Sequence, residues 1–395
     1  MKSLRFLYIL AILLFAFSVC LTMYNLALNT TGEEVRVFGY PREYFILPLL
    51  SLNGLIIASN YSIIKPVGIS RIVLLWMFIV PILSSLSIPK LQYFIEMLVW
   101  PTSYLASYVL IKNNNKNFKY ISYTFLVVFI MGLFYFQQSK IDQLSLNSHG
   151  FENSANSIFC VLSVVPFILL LESKRLKYSL LFITILAVSF SNKRSAIIIL
   201  GVSLIPTLWS MFSSKYSKMK KLLIISVLLC GCLSLFFYVE DNYLENRALE
   251  RFSMLDEDGG SGRSMIWAYV IDNYFKGDFI SILLGSGHNA VSYIGWASAS
   301  HNDFLDVLYD YGIFSFIIYL CLHLAILKRL YYMYKIQSPY FQSYFFMTVV
   351  FVIMSWISIL IVQQRYLVYI AIYWGMIEAQ FENKKNLNKY EYKKK

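Results

Sequence analysis

The sequence predicts an all-α membrane protein, a polytopic bundle of about twelve transmembrane helices with one large outer loop that carries short helices. Of its 395 residues, 58% are hydrophobic and only 14% are charged, and the mean hydropathy is +0.59. A soluble domain carries about 25% charged residues, so this composition excludes a water-soluble fold. Apolar runs also recur along the chain, and a helix needs about 20 such residues to cross the hydrocarbon core.

The apolar runs define the spans in order. The first run lacks a small-residue cleavage site and is long enough to cross the membrane, so we interpret it as a span rather than a signal peptide. The seventh run is short, and its ends are the least defined. The predicted spans are 4–23, 43–59, 70–88, 91–111, 119–137, 155–171, 178–190, 195–212, 222–239, 304–326, 343–362 and 366–380.

Basic residues predict the orientation of these spans. With the N-terminus in the cytoplasm, 23 of the 34 lysines and arginines fall on the cytoplasmic side, as the positive-inside rule expects. Both termini are then cytoplasmic. The chain divides into spans one to nine (1–239), a large outer loop (240–303), spans ten to twelve (304–380) and a basic tail (381–395). The net charge of +12 follows from this topology, and no basic stripe predicts nucleic-acid binding.

Nothing in the sequence predicts a metal or another cofactor. The five cysteines all lie in apolar runs, where they behave as small hydrophobic residues. The acidic run 256–258 in the outer loop lacks the alternating ligand spacing of a calcium loop. The arginines are therefore the better candidates for screening negative charge at the outer face.

Three basic residues are predicted to meet at the outer membrane surface. Arg194 follows Lys193 in a very short outer loop, where positive charge opposes the topology and an anionic ligand would compensate for it. Arg263 follows a glycine at a predicted helix start. His301 precedes another helix start, with Asn302 or Asp303 as the N-cap. Helix N-termini and arginines both favour phosphate oxygens, and a neutral histidine can accept a proton.

Five further ionisable residues are weaker candidates. Asp306 and Asp310 lie one turn apart and would either serve the site or cap the membrane interface. Glu96, in the upper part of span four, would seek a buried partner such as Arg194 or Arg365. Arg365 itself could contact phosphate or glycan, or simply reach the interface. His288 lies in a Gly-rich turn and is more often a turn residue in such a setting.

These residues belong to motifs that resemble the O-antigen polymerase and O-antigen ligase superfamily. The motifs are Ser-Asn-Lys-Arg194-Ser-Ala, Ser-Gly-Arg263 with Trp267 four residues on, Leu-Gly-Ser-Gly287, and Ser-His301-Asn-Asp-Phe-Leu followed by Tyr-Gly312. Their order, their spacing and the outer loop before a late span also resemble this superfamily. The motifs cover residues 192–312, and the first 150 residues resemble it only as hydrophobic spans.

The resemblance implies a glycosyltransferase of the bacterial cytoplasmic (inner) membrane that uses an undecaprenyl-pyrophosphate-linked oligosaccharide without a metal or nucleotide sugar. It implies pyrophosphate or glycan contacts for Arg194 and Arg263 and a catalytic role for His301. Arg365, Asp306 and Glu96 remain candidates for substrate binding from the residue-level reasoning. Membrane lipids are expected partners, and a chain-length regulator protein is left open.

Three functions stay open at this point. The first is a polymerase that transfers a growing lipid-linked glycan onto another lipid-linked repeat for O-antigen or capsule assembly. The acidic, aromatic helix start at 303–311 favours it. The second is a ligase that transfers the glycan to lipopolysaccharide core. The third is a lipid-linked oligosaccharide flippase or another transporter, which clustering of charge at the outer surface disfavours.

Overall fold

The computed structural model describes residues 2–28, 36–37, 40–41, 43–65, 67–87, 91–146, 156–191, 193–213, 263–294, 300–358, 360–363 and 365–393. The predicted ninth span and the acidic run 256–258 lie outside these residues. The all-α fold is confirmed: helices make up nearly all of the described chain. One antiparallel pairing of two-residue strands, β1 (Arg36–Val37) and β2 (Tyr40–Pro41), is the exception within these ranges.

The helices follow the apolar runs closely. Before the outer loop they are α1 (Lys2–Leu28), α2 (Glu43–Ser59), α3 (Ile69–Ser87), α4 (Leu91–Asn113), α5 (Lys116–Leu146), α6 (Ile158–Leu169), α7 (Lys174–Phe190) and α8 (Arg194–Ser213). From residue 263 onward they are α9 (Arg263–Lys276), α10 (Phe279–Leu284), α11 (Asp303–Lys335), α12 (Phe341–Ile357), α13 (Leu360–Gln363) and α14 (Leu367–Lys393). Short 3-10 turns lie at Tyr61–Ile63 and Ala290–Tyr293.

The predicted number of twelve spans is not confirmed. Among the described residues, five helices are long and apolar enough to cross a membrane: Ser3–Thr22, Ile69–Ser87, Tyr93–Asn113, Lys116–Ile141 and Asp303–Lys335. Four more apolar helices are shorter, namely Phe45–Ser59, Ile158–Leu169, Arg194–Trp209 and Phe341–Ile357. The predicted ninth span lies outside the described residues, and the helix Ile158–Leu169 is shorter than the apolar run 155–171 that predicted it.

The centre of the bundle is the contact between α4 and α14. Trp100, Tyr104 and Trp374 are fully buried there. A β-carbon added at Gly375 would lie only 2.2 Å from the backbone oxygen of Tyr104. The Ser107 hydroxyl, on the opposing helix, donates a hydrogen bond to the Ile372 carbonyl at 3.1 Å. Small residues at a helix crossing let membrane helices approach closely, because packing rather than water exclusion drives their association.

One helix links the two ends of the bundle. α11 begins at Asp303 and carries Arg329 in its last third. The Arg329 guanidinium donates two hydrogen bonds to the carboxylate of the buried Glu378 of α14. Gly312 interrupts α11 with φ +73° and ψ 179°, so residues 303–311 form a separate first segment. A side chain at Gly312 would collide with the Leu283 carbonyl and the Gly285 nitrogen, which explains why glycine occupies this break.

We predict that Gly375→Ala lowers the stability of the purified protein in detergent. The added methyl group overfills the α4–α14 contact, and overpacking costs about 1–3 kcal/mol. Gly54→Ala in α2 is the matched control, since nothing lies within 4 Å of a β-carbon there. Thermal unfolding followed by size-exclusion chromatography measures both variants. Equal transition temperatures for Gly375→Ala and Gly54→Ala would contradict the close crossing.

Candidate active site at the start of α11

The first segment of α11 presents three buried carboxylates on one face. Asp303, Asp306 and Asp310 are spaced three and four residues apart, so they share one side of the helix, and each is at most 1% exposed. All three carboxylates accept hydrogen bonds from backbone N–H groups of neighbouring segments. The segment therefore organises the loops around it.

Asp310 holds the Gly-rich turn in place. Its carboxylate accepts the N–H groups of Asn289 at 2.9 Å and Val291 at 3.0 Å, and its backbone carbonyl accepts that of Gly287 at 2.8 Å. Gly285 has φ +91°, and a β-carbon there would lie 2.3 Å from the Asp310 carbonyl oxygen. The Leu-Gly-Ser-Gly motif thus contacts α11 backbone to backbone, and the Asp310 carboxylate accepts N–H groups of the turn that follows it.

Asp303 anchors the other end of the same segment. One carboxylate oxygen accepts the N–H groups of Leu360 at 2.8 Å and Ile361 at 3.2 Å, at the start of α13. The other accepts the Tyr319 hydroxyl at 3.0 Å. Arg365, half-buried, follows α13 in the turn that leads into α14. The structure therefore brings the Arg365 turn next to the start of α11, although no described contact joins Arg365 to His301.

A compact turn presents His301. Asn302 is the N-cap: its side-chain oxygen accepts the N–H groups of Phe304 at 3.0 Å and Leu305 at 3.4 Å. His301 has φ +54°, the left-handed region that non-glycine residues rarely adopt. The Trp267 indole of α9 donates to the Ser300 carbonyl at 2.9 Å. Because Arg263 lies one turn before Trp267 on α9, this bond also brings Arg263 towards the histidine turn.

The basic residues predicted from the sequence lie in one electrostatic neighbourhood. Burial lowers the pKa of Arg263, and the nearby Arg194 lowers it further. Burial likewise lowers the pKa of His301, with additional contributions from Arg263 and Lys193. No described carboxylate forms an ion pair with Arg263. Four basic groups thus share a half-buried site whose positive charge suits an anionic ligand.

Asp306 lies directly beside this turn. One carboxylate oxygen accepts the Ser300 N–H at 3.3 Å, and the other has no hydrogen-bond partner among the described residues. A buried polar atom without a partner carries a desolvation penalty and calls for an explanation. Asp306 therefore differs from Asp303 and Asp310, whose oxygens are engaged with backbone or hydroxyl groups. It remains the carboxylate best placed to receive a proton or a ligand hydroxyl.

Glu96 lies in a second polar cluster. Its carboxylate is 3.3 Å from His288 Nε2, and His288 Nδ1 is 2.5 Å from the Tyr311 hydroxyl. The His288 backbone N–H donates to the Ser84 hydroxyl at 3.0 Å. His288 is thus one partner of Glu96, and the expected pairing of Glu96 with Arg194 or Arg365 stays a prediction. Sequence reasoning treated His288 as a turn residue and missed this role.

Sequence reasoning also missed Lys193 as a member of the site. It noticed the adjacent Lys193 and Arg194 only as an exception to the charge rule, and that exception was the available signal.

Among the described residues, no group of three or more His, Cys, Asp and Glu side chains could hold a metal ion. The acidic run 256–258 lies outside those residues, so metal independence stays a prediction.

A comparison with protein families finds a match over the part of the chain that carries the site. Residues 179–320 match the family model described as O-antigen ligase. The match extends from α7 into α11 and includes Arg194, Arg263 and His301. No curated protein matches the chain in a sequence search. Over the residues that carry the site, the match confirms the resemblance: this segment is similar to the O-antigen ligase family.

Proposed function

We propose that the protein is a membrane glycosyltransferase that polymerises undecaprenyl-pyrophosphate-linked repeat units for O-antigen or capsule assembly. The observation that carries this proposal is the half-buried cluster of Lys193, Arg194, Arg263 and His301. The family match to residues 179–320 supports the reaction class. The donor would be the lipid-linked glycan, and the acceptor a hydroxyl of a second lipid-linked repeat at the outer face of the cytoplasmic membrane.

The cations would serve the leaving group. In the transfer, the acceptor oxygen bonds to the anomeric carbon while the bond from that carbon to the phosphate oxygen breaks. The pyrophosphate departs with the electron pair and gains negative charge. Arg194 and Arg263 can each offer two parallel donors to phosphate oxygens, and the partial burial of Arg263 strengthens such contacts. Fixed donors aimed at developing charge need no reorganisation during the reaction.

His301 would take the proton of the acceptor hydroxyl. A base must be neutral to do so, and the burial of His301 and its cationic neighbours lower its pKa, which keeps the imidazole neutral at pH 7. Burial contributes most to the lowered pKa of His301, and Arg263 and Lys193 contribute the rest. General-base assistance contributes about 10²–10⁴ in rate.

The choice of polymerase over ligase rests on the resemblance of the acidic, aromatic helix start. In the structure, Asp303 and Asp310 accept hydrogen bonds from backbone N–H groups. These two carboxylates would do the same in a polymerase and in a ligase, so they do not distinguish the two functions. Asp306 keeps one oxygen without a described hydrogen-bond partner. Both reactions use the same donor and the same basic cluster, and they differ in the acceptor. A flippase would need no acceptor and no base.

The basic cluster predicts a specific pattern of charge variants. Arg263→Ala should lower polymer formation by roughly 10- to 150-fold, since a charge-assisted contact contributes about 1.5–3 kcal/mol. Arg263→Lys should recover little, because an ammonium cannot grip two oxygens at once. Lys276→Met, an exposed residue at the other end of α9, is the matched control. Full activity of Arg263→Ala at normal membrane levels would remove Arg263 from the site.

His301 should show its role through pH dependence. His301→Asn, which tolerates the left-handed backbone, should abolish transfer yet retain donor binding.

In the wild type, activity falls as the pH drops through the lowered pKa of His301. Lys193→Met removes a positive neighbour, so that pKa rises and the acid limb of the rate profile moves to higher pH. Lys193→Arg should keep the wild-type limb. Identical limbs for Lys193→Met and the wild type would contradict this coupling.

A deletion strain separates the functions. If the protein is a polymerase, the strain makes lipopolysaccharide capped with a single repeat, or loses its long capsular chains. Complementation with the wild type restores long chains, and His301→Asn does not. Gel electrophoresis of extracted glycans measures this. Long lipid-linked chains that never reach the core would instead indicate a ligase. Repeat units retained at the inner face would indicate a flippase.

A further inference from the structure

Two tyrosine hydroxyls, neither of them part of the basic cluster, meet between α4 and the 3-10 turn Ala290–Tyr293. Tyr93 of α4 and Tyr293 of the 3-10 turn place their hydroxyl oxygens 3.0 Å apart. The Tyr293 ring is 64% exposed. Glu96 follows Tyr93 by three residues and so lies on the same face of α4. An accessible ring beside hydroxyls and a carboxylate offers an apolar face for sugar C–H groups and polar atoms for sugar hydroxyls.

The polar groups beneath the two tyrosines are held in place by contacts with neighbouring side chains. Glu96 contacts the buried His288 at 3.3 Å, and His288 contacts the Tyr311 hydroxyl of α11. The Tyr93 ring packs with its centroid 4.8 Å from that of His288. The carboxylate and the Tyr93 ring therefore have fixed positions before any ligand arrives. Preorganisation of this kind lowers the cost of binding.

The tyrosine pair is connected to the helix that begins at the basic cluster. The Tyr269 hydroxyl of α9 donates to the carbonyl of Ile294, the residue after Tyr293, at 3.2 Å. Arg263 begins the same helix six residues earlier, about 9 Å along the axis at 1.5 Å per residue. A short oligosaccharide spans such a distance. A glycan whose pyrophosphate lies at Arg263 can thus extend along α9 towards Tyr293.

We propose that Tyr93, Tyr293 and Glu96 form a glycan subsite that binds a sugar residue of the lipid-linked oligosaccharide. The inference rests on the proposed function and adds to it a sugar-binding locus separate from the pyrophosphate site. The ring of Tyr293 stacks on one sugar face. The two hydroxyls and the Glu96 carboxylate bond to sugar hydroxyls. The alternative is that the two tyrosines belong to a belt of aromatic residues at the membrane interface, in which case no glycan binding is expected.

The test uses a glycan that lacks both lipid and pyrophosphate. Mild acid releases the reducing oligosaccharide from the lipid-linked repeat of the producing strain. Saturation-transfer NMR then titrates it against the purified full chain in nanodiscs. The wild type should bind it. Tyr293→Ala should bind it roughly two- to tenfold more weakly, the range expected for one aromatic contact, and Tyr293→Phe, which keeps the ring, should fall between the two.

Two controls separate this proposal from the proposed function. Tyr331→Ala removes an equally exposed tyrosine near the far end of α11 and should bind like the wild type. Lys276→Met, which removes an exposed charge at the end of α9, should also bind like the wild type. Absence of wild-type binding, or equal binding by Tyr293→Ala, would overturn the subsite. The proposed function instead fails if Arg263→Ala forms polymer normally, whatever the titration shows.

Discussion

The structure around the site depends on satisfying buried backbone N–H groups. An N–H group that is buried away from water needs an acceptor within the protein. The first segment of α11 supplies three carboxylate acceptors. Asp303 accepts from the start of α13, Asp306 from Ser300, and Asp310 from the Gly-rich turn. One helical face thereby joins the two turns that precede it to the start of α13, 57 residues beyond Asp303.

This constraint explains why the motifs have their particular residues. Gly285 and Gly312 occur where two backbones touch, and any side chain would force them apart. Tyr311 reaches His288 because Gly312 breaks the helix directly after it. The left-handed backbone of His301 follows from the tight Ser300–Asn302 turn, in which the Ser300 hydroxyl accepts the Asn302 N–H at 3.0 Å. The glycines and carboxylates of the motifs thus position the backbone around the site, and the half-buried basic residues lie within that arrangement.

The sequence predicted the helices well because apolar length and spacing are local properties. It also placed Arg194, Arg263 and His301 together, since all three lie near helix starts on one predicted side of the membrane. It could not predict that Glu96 pairs with His288, because nothing local states that α4 packs beside the Gly-rich turn. It could not separate Asp306 from Asp310 either. Both lie on the same helical face, and only the partners of their oxygens distinguish them.

The contrast between these carboxylates and the cations bears on how the site can act. Asp303 and Asp310 are fully buried, and each of their carboxylate oxygens accepts at least one hydrogen bond. Arg263 and His301 are half-buried, and burial lowers the pKa of both; repulsion from Arg194 lowers that of Arg263 further, and repulsion from Arg263 and Lys193 lowers that of His301. A pyrophosphate at the cluster would relieve that repulsion and raise the pKa of His301. Donor binding would therefore strengthen the imidazole as a base when an acceptor hydroxyl is to lose its proton.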